Sequence, residues 1–105
     1  MKRICAAVLG AAVLTQSAPL PAHAGTISTA CMQSGRKAAN RSLCKCIQFV
    51  ADQSLSRADQ RLAASFFRDP HKAQEIRQSD RANHEAFWER YKLFGAQAES
   101  FCKGY

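Results

Sequence analysis

The residues of this chain that are most able to take part in chemistry are its cysteines. Four of them, Cys31, Cys44, Cys46 and Cys102, follow the N-terminal apolar segment that contains Cys5. An even number of cysteines in an oxidising compartment is typical of a disulfide framework. As two thiolates, however, the C-x-C pair Cys44 and Cys46 could bind copper or take part in thiol exchange. We expect two structural disulfides and keep a copper- or thiol-handling protein as the alternative.

Four cysteines allow three disulfide connectivities, and helix geometry argues against one of them. Residues two apart on a helix point in nearly opposite directions, so Cys44 is not expected to pair with Cys46. Two pairings remain open: Cys31–Cys44 with Cys46–Cys102, and Cys31–Cys46 with Cys44–Cys102. We favour the first, because Cys44 faces the turn that precedes its helix. Both pairings tie one helix to the N-terminal segment and to the C-terminal helix.

The other residues that could do chemistry fall short of a known site. His84-Glu85 begins like a zinc-protease motif, but Trp88 stands where H-E-x-x-H requires the second histidine. Glu85 and Glu89 lie one helical turn apart, where neighbouring basic residues would make them ordinary surface ion pairs. The sequence holds no G-x-S-x-G motif and no glycine-rich phosphate loop. It therefore predicts no enzyme, no metal site and no cofactor.

Aromatic residues lie beside arginines in the second half of the chain. Two neighbours on a helix cannot both face inward, so one residue of each pair, Phe66-Phe67 and Phe87-Trp88, belongs at the edge of the core. An exposed aromatic ring beside an arginine can form a small binding surface. The residues of this predicted interaction surface are Phe67, Arg68, Arg81, Trp88 and Arg90.

The first 24 residues have the pattern of a cleavable signal peptide. Lys2 and Arg3 precede an uncharged apolar run, and a small-x-small site ends at Ala24. The run is shorter than the roughly 20 residues that a membrane-spanning helix needs. We therefore expect a signal peptide over residues 1–24 and a periplasmic or secreted domain over residues 25–105, with no membrane span after cleavage.

The charge of the chain is basic and bears on its partners. The formal net charge is +7, and loss of Lys2 and Arg3 with the signal peptide removes two positive charges, leaving about +5. Basic and acidic residues alternate along much of the domain, as on solvated helix faces. The excess positive charge suits an unknown protein or an anionic envelope component. Because the domain is expected to be exported, we predict no nucleic-acid partner.

Helix caps and apolar spacing divide the domain into helices, and no strand pattern competes with them. The predicted caps are Asn40 and Ser42 for the second helix, Ser56 for the third and Asp69 for the fourth. The predicted helices cover residues 26–34, 43–54, 57–68, 70–77 and a last segment that Ser79 or Asp80 caps and that runs to 102. Their inner faces are predicted to carry Leu43, Ile47 and Val50, then Ala58, Leu62, Ala63 and Phe66, and finally Phe87, Tyr91, Phe94, Ala98 and Phe101. The sequence therefore predicts an all-α fold, a small bundle of four to five helices stapled by two disulfides.

Several stretches of the chain resemble a group of small exported bacterial proteins without established activity. These stretches are Cys44-Lys45-Cys46-Ile47-Gln48, Ala58-Asp59-Gln60-Arg61, Phe66-Phe67-Arg68-Asp69-Pro70-His71 and His84-Glu85-Ala86-Phe87-Trp88. The resemblance brings no catalytic motif. Members of such groups sometimes carry the automatic label "arginine transporter", which implies at most an accessory role in solute uptake. We expect a non-enzymatic periplasmic binding module of unknown partner, with that accessory role as a second alternative.

Overall fold

The computed structural model describes residues 10–12 and 25–105. The predicted signal peptide and its cleavage site therefore lie almost entirely outside the described residues. Residues 25–105 form five helices, and no strand occurs in the described ranges. The helices are α1 (Thr26–Met32), α2 (Arg41–Ser54), α3 (Arg57–Arg68), α4 (Pro70–Arg77) and α5 (Ala82–Phe101). The predicted all-α bundle is confirmed, and within the described residues no helix is long and apolar enough to cross a bilayer.

The helices pack in a simple order around one core. Helix α1 packs against α2 and α3, while α4 packs against α3 and α5. Helices α2 and α5 run antiparallel, because Cys46 is bonded to Cys102 whereas Ser54, two turns further along α2, donates a 2.7 Å hydrogen bond to Gln97. The core combines small, aliphatic and aromatic side chains, including Ala51, Val50 and Phe66.

Two disulfides hold α2 from opposite sides. Cys31 is bonded to Cys44 and Cys46 to Cys102, with Cα atoms 5.6 Å and 5.7 Å apart. The favoured pairing is confirmed. Because the two cysteines of α2 are two residues apart, one bond reaches α1 and the other reaches the end of α5.

Two helix caps form as the sequence predicts, and two do not. Asn40 Oδ1 accepts from the Leu43 amide at 2.8 Å, and Ser56 Oγ accepts from the Asp59 amide at 3.1 Å. Asp69 makes no side-chain cap bond to α4. The prediction that Ser79 or Asp80 caps the last helix is wrong.

The start of α5 is set one or two residues later than predicted. Its N-cap position is Arg81, which makes no side-chain cap bond. Ser79 Oγ instead accepts from the Arg81 amide at 3.2 Å and lies 2.7 Å from His84 Nδ1. The serine thereby orders the turn that leads into the helix. At the other end of the domain α1 stops at Met32, two residues before the predicted end.

Helix α3 buries a slightly different face from the one predicted. Ala58 is exposed, whereas Gln60, Ala63 and Ala64 are buried. The polar Gln60 can occupy the inner face because its amide nitrogen lies 3.3 Å from the carbonyl oxygens of both Ala51 and Leu55. A polar side chain that is buried without hydrogen-bond partners pays a desolvation penalty, which is why inner faces are normally apolar. The amide of Gln60 has such partners and avoids this penalty.

A second buried glutamine connects α1 to the rest of the bundle. Gln48 Oε1 accepts from the amides of Ile27 at 2.7 Å and Ser28 at 2.9 Å. Its amide nitrogen donates to Asp52 and to Gln60 at 2.8 Å and 2.9 Å. Helix α1 begins after a glycine and has no side-chain cap of its own. Gln48 therefore supplies, from α2, the acceptor that a local cap would otherwise provide.

Candidate interaction surface

The thiol chemistry considered for Cys44 and Cys46 has no thiolate to act through in this structure. Both sulfurs are in disulfides, and both residues are buried. Copper binding by this pair would first require reduction of both bonds, and a nucleophilic thiolate at either position would require reduction of the bond that holds it. In residues 10–12 and 25–105, no group of three or more His, Cys, Asp or Glu is placed to hold a metal ion.

The two aromatic residues of the predicted interaction surface lie at the boundary of the core. Phe67 is partly buried and has the guanidinium carbon of Arg36 5.4 Å from its ring centroid, within cation–π distance. Trp88 is also partly buried, with its ring 5.2 Å from that of Tyr91 and 6.5 Å from that of Phe66. The expectation that Phe67 and Trp88 would sit at the edge of the core is confirmed. Arg36 is a neighbour that the sequence did not reveal.

The three arginines of that predicted surface lie on different parts of the fold. Arg90 makes a two-bond ion pair with Asp59 of α3, at 2.6 Å and 3.1 Å. The hydrogen bond that Arg90 donates to this carboxylate raises the pKa of Arg90. Arg68 is exposed in the last turn of α3, and Arg81 is exposed at the start of α5. Arg90 thus serves as a link between α3 and α5.

A more prominent surface lies where α2 meets the end of α5. The rings of Phe49 and Phe101 stack with centroids 5.6 Å apart and an interplanar angle of 21°. Phe49 is 53% exposed and Phe101 is 58% exposed. The prediction that Phe101 faces the core is therefore wrong. Cys46 lies one helical turn before Phe49 and Cys102 directly follows Phe101, so the second disulfide fixes the spacing of the two rings.

The stacked pair separates two surface grooves, and a third groove adjoins the second of them at Lys45. The first, of about 720 Å³, is lined by Phe49, Val50, Gln53, Ser54, Ala96, Gln97, Ser100 and Phe101. The second, of about 410 Å³, is lined by Ser42, Lys45, Cys46, Phe49, Phe101 and Tyr105. The third, of about 340 Å³, is lined by Ser28, Thr29, Met32, Gln33, Arg41, Cys44 and Lys45. Because neighbouring grooves share residues, they form one continuous surface.

We call this surface the aromatic–basic face and define it by six residues. They are Met32, Arg41, Lys45, Phe49, Phe101 and Tyr105, and all six are exposed. Arg41 and Lys45 are the only charged side chains that line the three grooves, and among the described residues no acidic side chain lines them. On this face, exposed apolar side chains therefore lie beside charged side chains that are all basic.

The sequence contained a signal for this face that the periodicity analysis did not use. Arg41, Lys45 and Phe49 follow one another at intervals of four residues, which places them on one side of α2. That side is different from the apolar stripe of Leu43 and Ile47. An aromatic residue outside the inner stripe of an amphipathic helix, in line with two cations, indicates an exposed contact residue.

Comparison with known proteins adds no relative to these observations. No family model, no curated protein and no solved structure matches the chain.

Proposed function

We propose that this chain is a non-enzymatic, exported interaction module that binds its partner through the aromatic–basic face. The observation that carries the proposal is the Phe49–Phe101 stack, in which two large apolar rings are more than half exposed side by side. Contiguous exposed apolar side chains mark interaction sites, and aromatic residues are frequent binding anchors.

The disulfides support this role in two ways. They suit a periplasmic or secreted protein, because such bonds persist in oxidising compartments and the N-terminal residues have a signal-peptide pattern. They also fix α2 between α1 and α5, so that the face exists before any partner arrives. A preorganised surface loses less conformational entropy on binding than a flexible one.

The export part of the proposal is tested by intact mass. The protein isolated from the periplasm should begin at Gly25, weigh four hydrogens less than the fully reduced chain, and resist alkylation without reductant. A mass that includes residues 1–24, or alkylation of Cys44 and Cys46 in the native protein, would contradict the proposal.

The binding part is tested by site-specific photo-crosslinking in producing cells. A photoreactive residue at position 49 or 101 should give a light-dependent adduct, to protein or to lipid, that mass spectrometry can detect. The matched control is position 72, because Lys72 is exposed on α4 and lines none of the three grooves. Equal adduct yields at all three positions, or none at 49 and 101, would overturn the proposed face.

A further inference from the structure

We infer that the partner of the aromatic–basic face is an anionic phospholipid surface. Phe49 and Phe101 would enter the interfacial layer of the bilayer, while Arg41 and Lys45 contact headgroup phosphates. The inference rests on the proposed function and names the partner class of the same face.

The composition of the face is that of an interfacial membrane-binding surface. Its exposed apolar members are Met32, Phe49, Phe101 and Tyr105. Proteins that bind at the membrane surface bury apolar and aromatic side chains at the boundary between headgroups and acyl chains. Aromatic side chains in particular favour that boundary region.

The charge of the face is complementary to anionic lipid. Arg41 and Lys45 lie one turn apart on α2. Arg36 and Lys37 precede them in the loop after α1, where the Arg36 guanidinium lies over the Phe67 ring and outside the face. Residues 25–51 contain these four basic residues and no acidic residue. Basic side chains near an anionic membrane attract it additively, and here no acidic side chain of the three grooves opposes that attraction.

The same features disfavour a second copy of this chain as the occupant. In a two-fold dimer each patch meets its own copy. Arg41 and Lys45 would then be brought towards the same cations of the partner copy. Like charges placed opposite one another in an interface are unfavourable, whereas a layer of phosphates neutralises them.

The shape of the face favours lipid over an amphipathic peptide helix. A bound helix requires a continuous apolar groove for its successive anchors. Here Phe49 and Phe101 line both of the larger grooves and so stand between them. Fluid lipid can surround such a ridge, whereas a rigid helix would have to cross it.

The test is vesicle co-sedimentation of the exported protein with its disulfides intact. One set of vesicles is phosphatidylcholine alone, and the other contains equal parts of phosphatidylcholine and phosphatidylglycerol. We expect binding to the mixed vesicles that weakens as salt is added, and much weaker binding to phosphatidylcholine. The double variant Arg41→Gln with Lys45→Gln should bind the mixed vesicles about 30-fold more weakly. The double variant Phe49→Ser with Phe101→Ser should lose roughly tenfold or more.

A matched control separates the face from net charge. Arg61→Gln with Lys72→Gln removes one arginine and one lysine from exposed positions of α3 and α4 that line none of the three grooves. This variant has the same net charge as the first pair and should bind within about twofold of the unmodified protein. Thermal unfolding of every variant checks that the domain is intact.

The outcomes distinguish this inference from the proposed function. If mixed vesicles do not bind the protein while positions 49 and 101 crosslink to a discrete protein, the lipid inference is wrong and the interaction module has a protein partner. An equal loss of binding in the Arg61 and Lys72 control would show attraction by net charge and would also overturn the inference. If neither vesicle binding nor crosslinking occurs, both proposals fail.

Discussion

Helix α5 carries aromatic residues in both halves, and the molecule uses them differently. In the first half, Phe87 is buried, with its ring 6.0 Å from that of Phe66 and 5.7 Å from that of Tyr91. At the C-terminal end, Phe101 is exposed, and among the described residues it stacks on Phe49 alone. Both rings continue the same apolar spacing along one helix.

The difference lies in the neighbours of each half. Helices α3 and α4 both pack against α5, and Phe66 of α3 covers the first aromatic group. At the C-terminal end of α5, Phe49 of α2 supplies the stacked ring, and the Cys46–Cys102 disulfide is buried beside it. At this end of α5, the Cys46–Cys102 disulfide rather than a larger hydrophobic core holds the helix against α2. The aromatic rings beside it can consequently remain at the surface, available for contact.

Of the substitutions that test this comparison, the one at Phe87 should have the largest effect on the free energy of unfolding. Phe87→Ala should lower the free energy of unfolding by about 3–5 kcal/mol, because it leaves a cavity among buried rings. Chemical denaturation followed by circular dichroism measures the change. A cost below about 1 kcal/mol would show that the first aromatic group does not carry the core.

Removal of the Cys46–Cys102 bond should have the next largest effect. Cys46→Ala with Cys102→Ala opens a loop with a sequence separation of 56 residues, and should cost about 4 kcal/mol by loop-closure entropy. The matched variant, Cys31→Ala with Cys44→Ala, opens a separation of 13 residues and should cost about 3 kcal/mol. Denaturant titration compares the two. The reverse order would contradict a dominant role of the long bond in holding α5.

Phe101 should contribute much less to stability than Phe87. Phe101→Ser removes a ring that is more than half exposed and loses one aromatic stack. We expect a cost of about 1 kcal/mol or less in the same denaturation experiment. A cost equal to that of Phe87→Ala would break the comparison, because Phe101 would then be a core residue.

The smallest effect on stability comes from the ionisation of Tyr91 and is confined to alkaline pH. Burial raises the pKa of Tyr91, and the positive charge of Arg36 partly offsets that rise. A tyrosine whose pKa is higher in the folded than in the unfolded state stabilises the fold below its unfolded pKa, and this stabilisation is lost as pH rises through the folded pKa. The folded domain should therefore lose stability above about pH 10.

Absorbance titration can isolate this group. The chain has two tyrosines, so Tyr105→Phe leaves Tyr91 as the only phenol. Its folded titration should lie above that of the same variant in denaturant. In Tyr91→Phe, the alkaline loss of stability should be smaller than in the unmodified protein. Identical folded and denatured titrations would show that burial does not affect this tyrosine.

Local signals in the sequence account for most of the fold. Asn40 and Ser56 cap their helices through bonds to residues three positions away, and such bonds depend on short-range order. The favoured disulfide pairing also followed from a local property, the direction in which Cys44 leaves its helix. These features require no knowledge of which helices are neighbours.

Features that depend on distant neighbours were not predictable in this way. Phe101 fits the apolar stripe of α5, yet it is exposed and its ring stacks on Phe49 of α2. Gln48 and Gln60 look like surface residues, yet each is buried because acceptors or donors from another helix or turn complete its hydrogen bonds. The aromatic–basic face likewise depends on two helices that are far apart in sequence.

The cap that Gln48 provides has a consequence for the order in which the chain folds. Helix α1 has seven residues, far fewer than an isolated helix needs to persist in water. The side chain that accepts from its first amides is 21 residues downstream. We therefore expect the residues of α1 to remain unstructured until α2 is in place. Cys31 then reaches Cys44 through the docking of α1, so oxidation of that pair follows assembly of the first two helices.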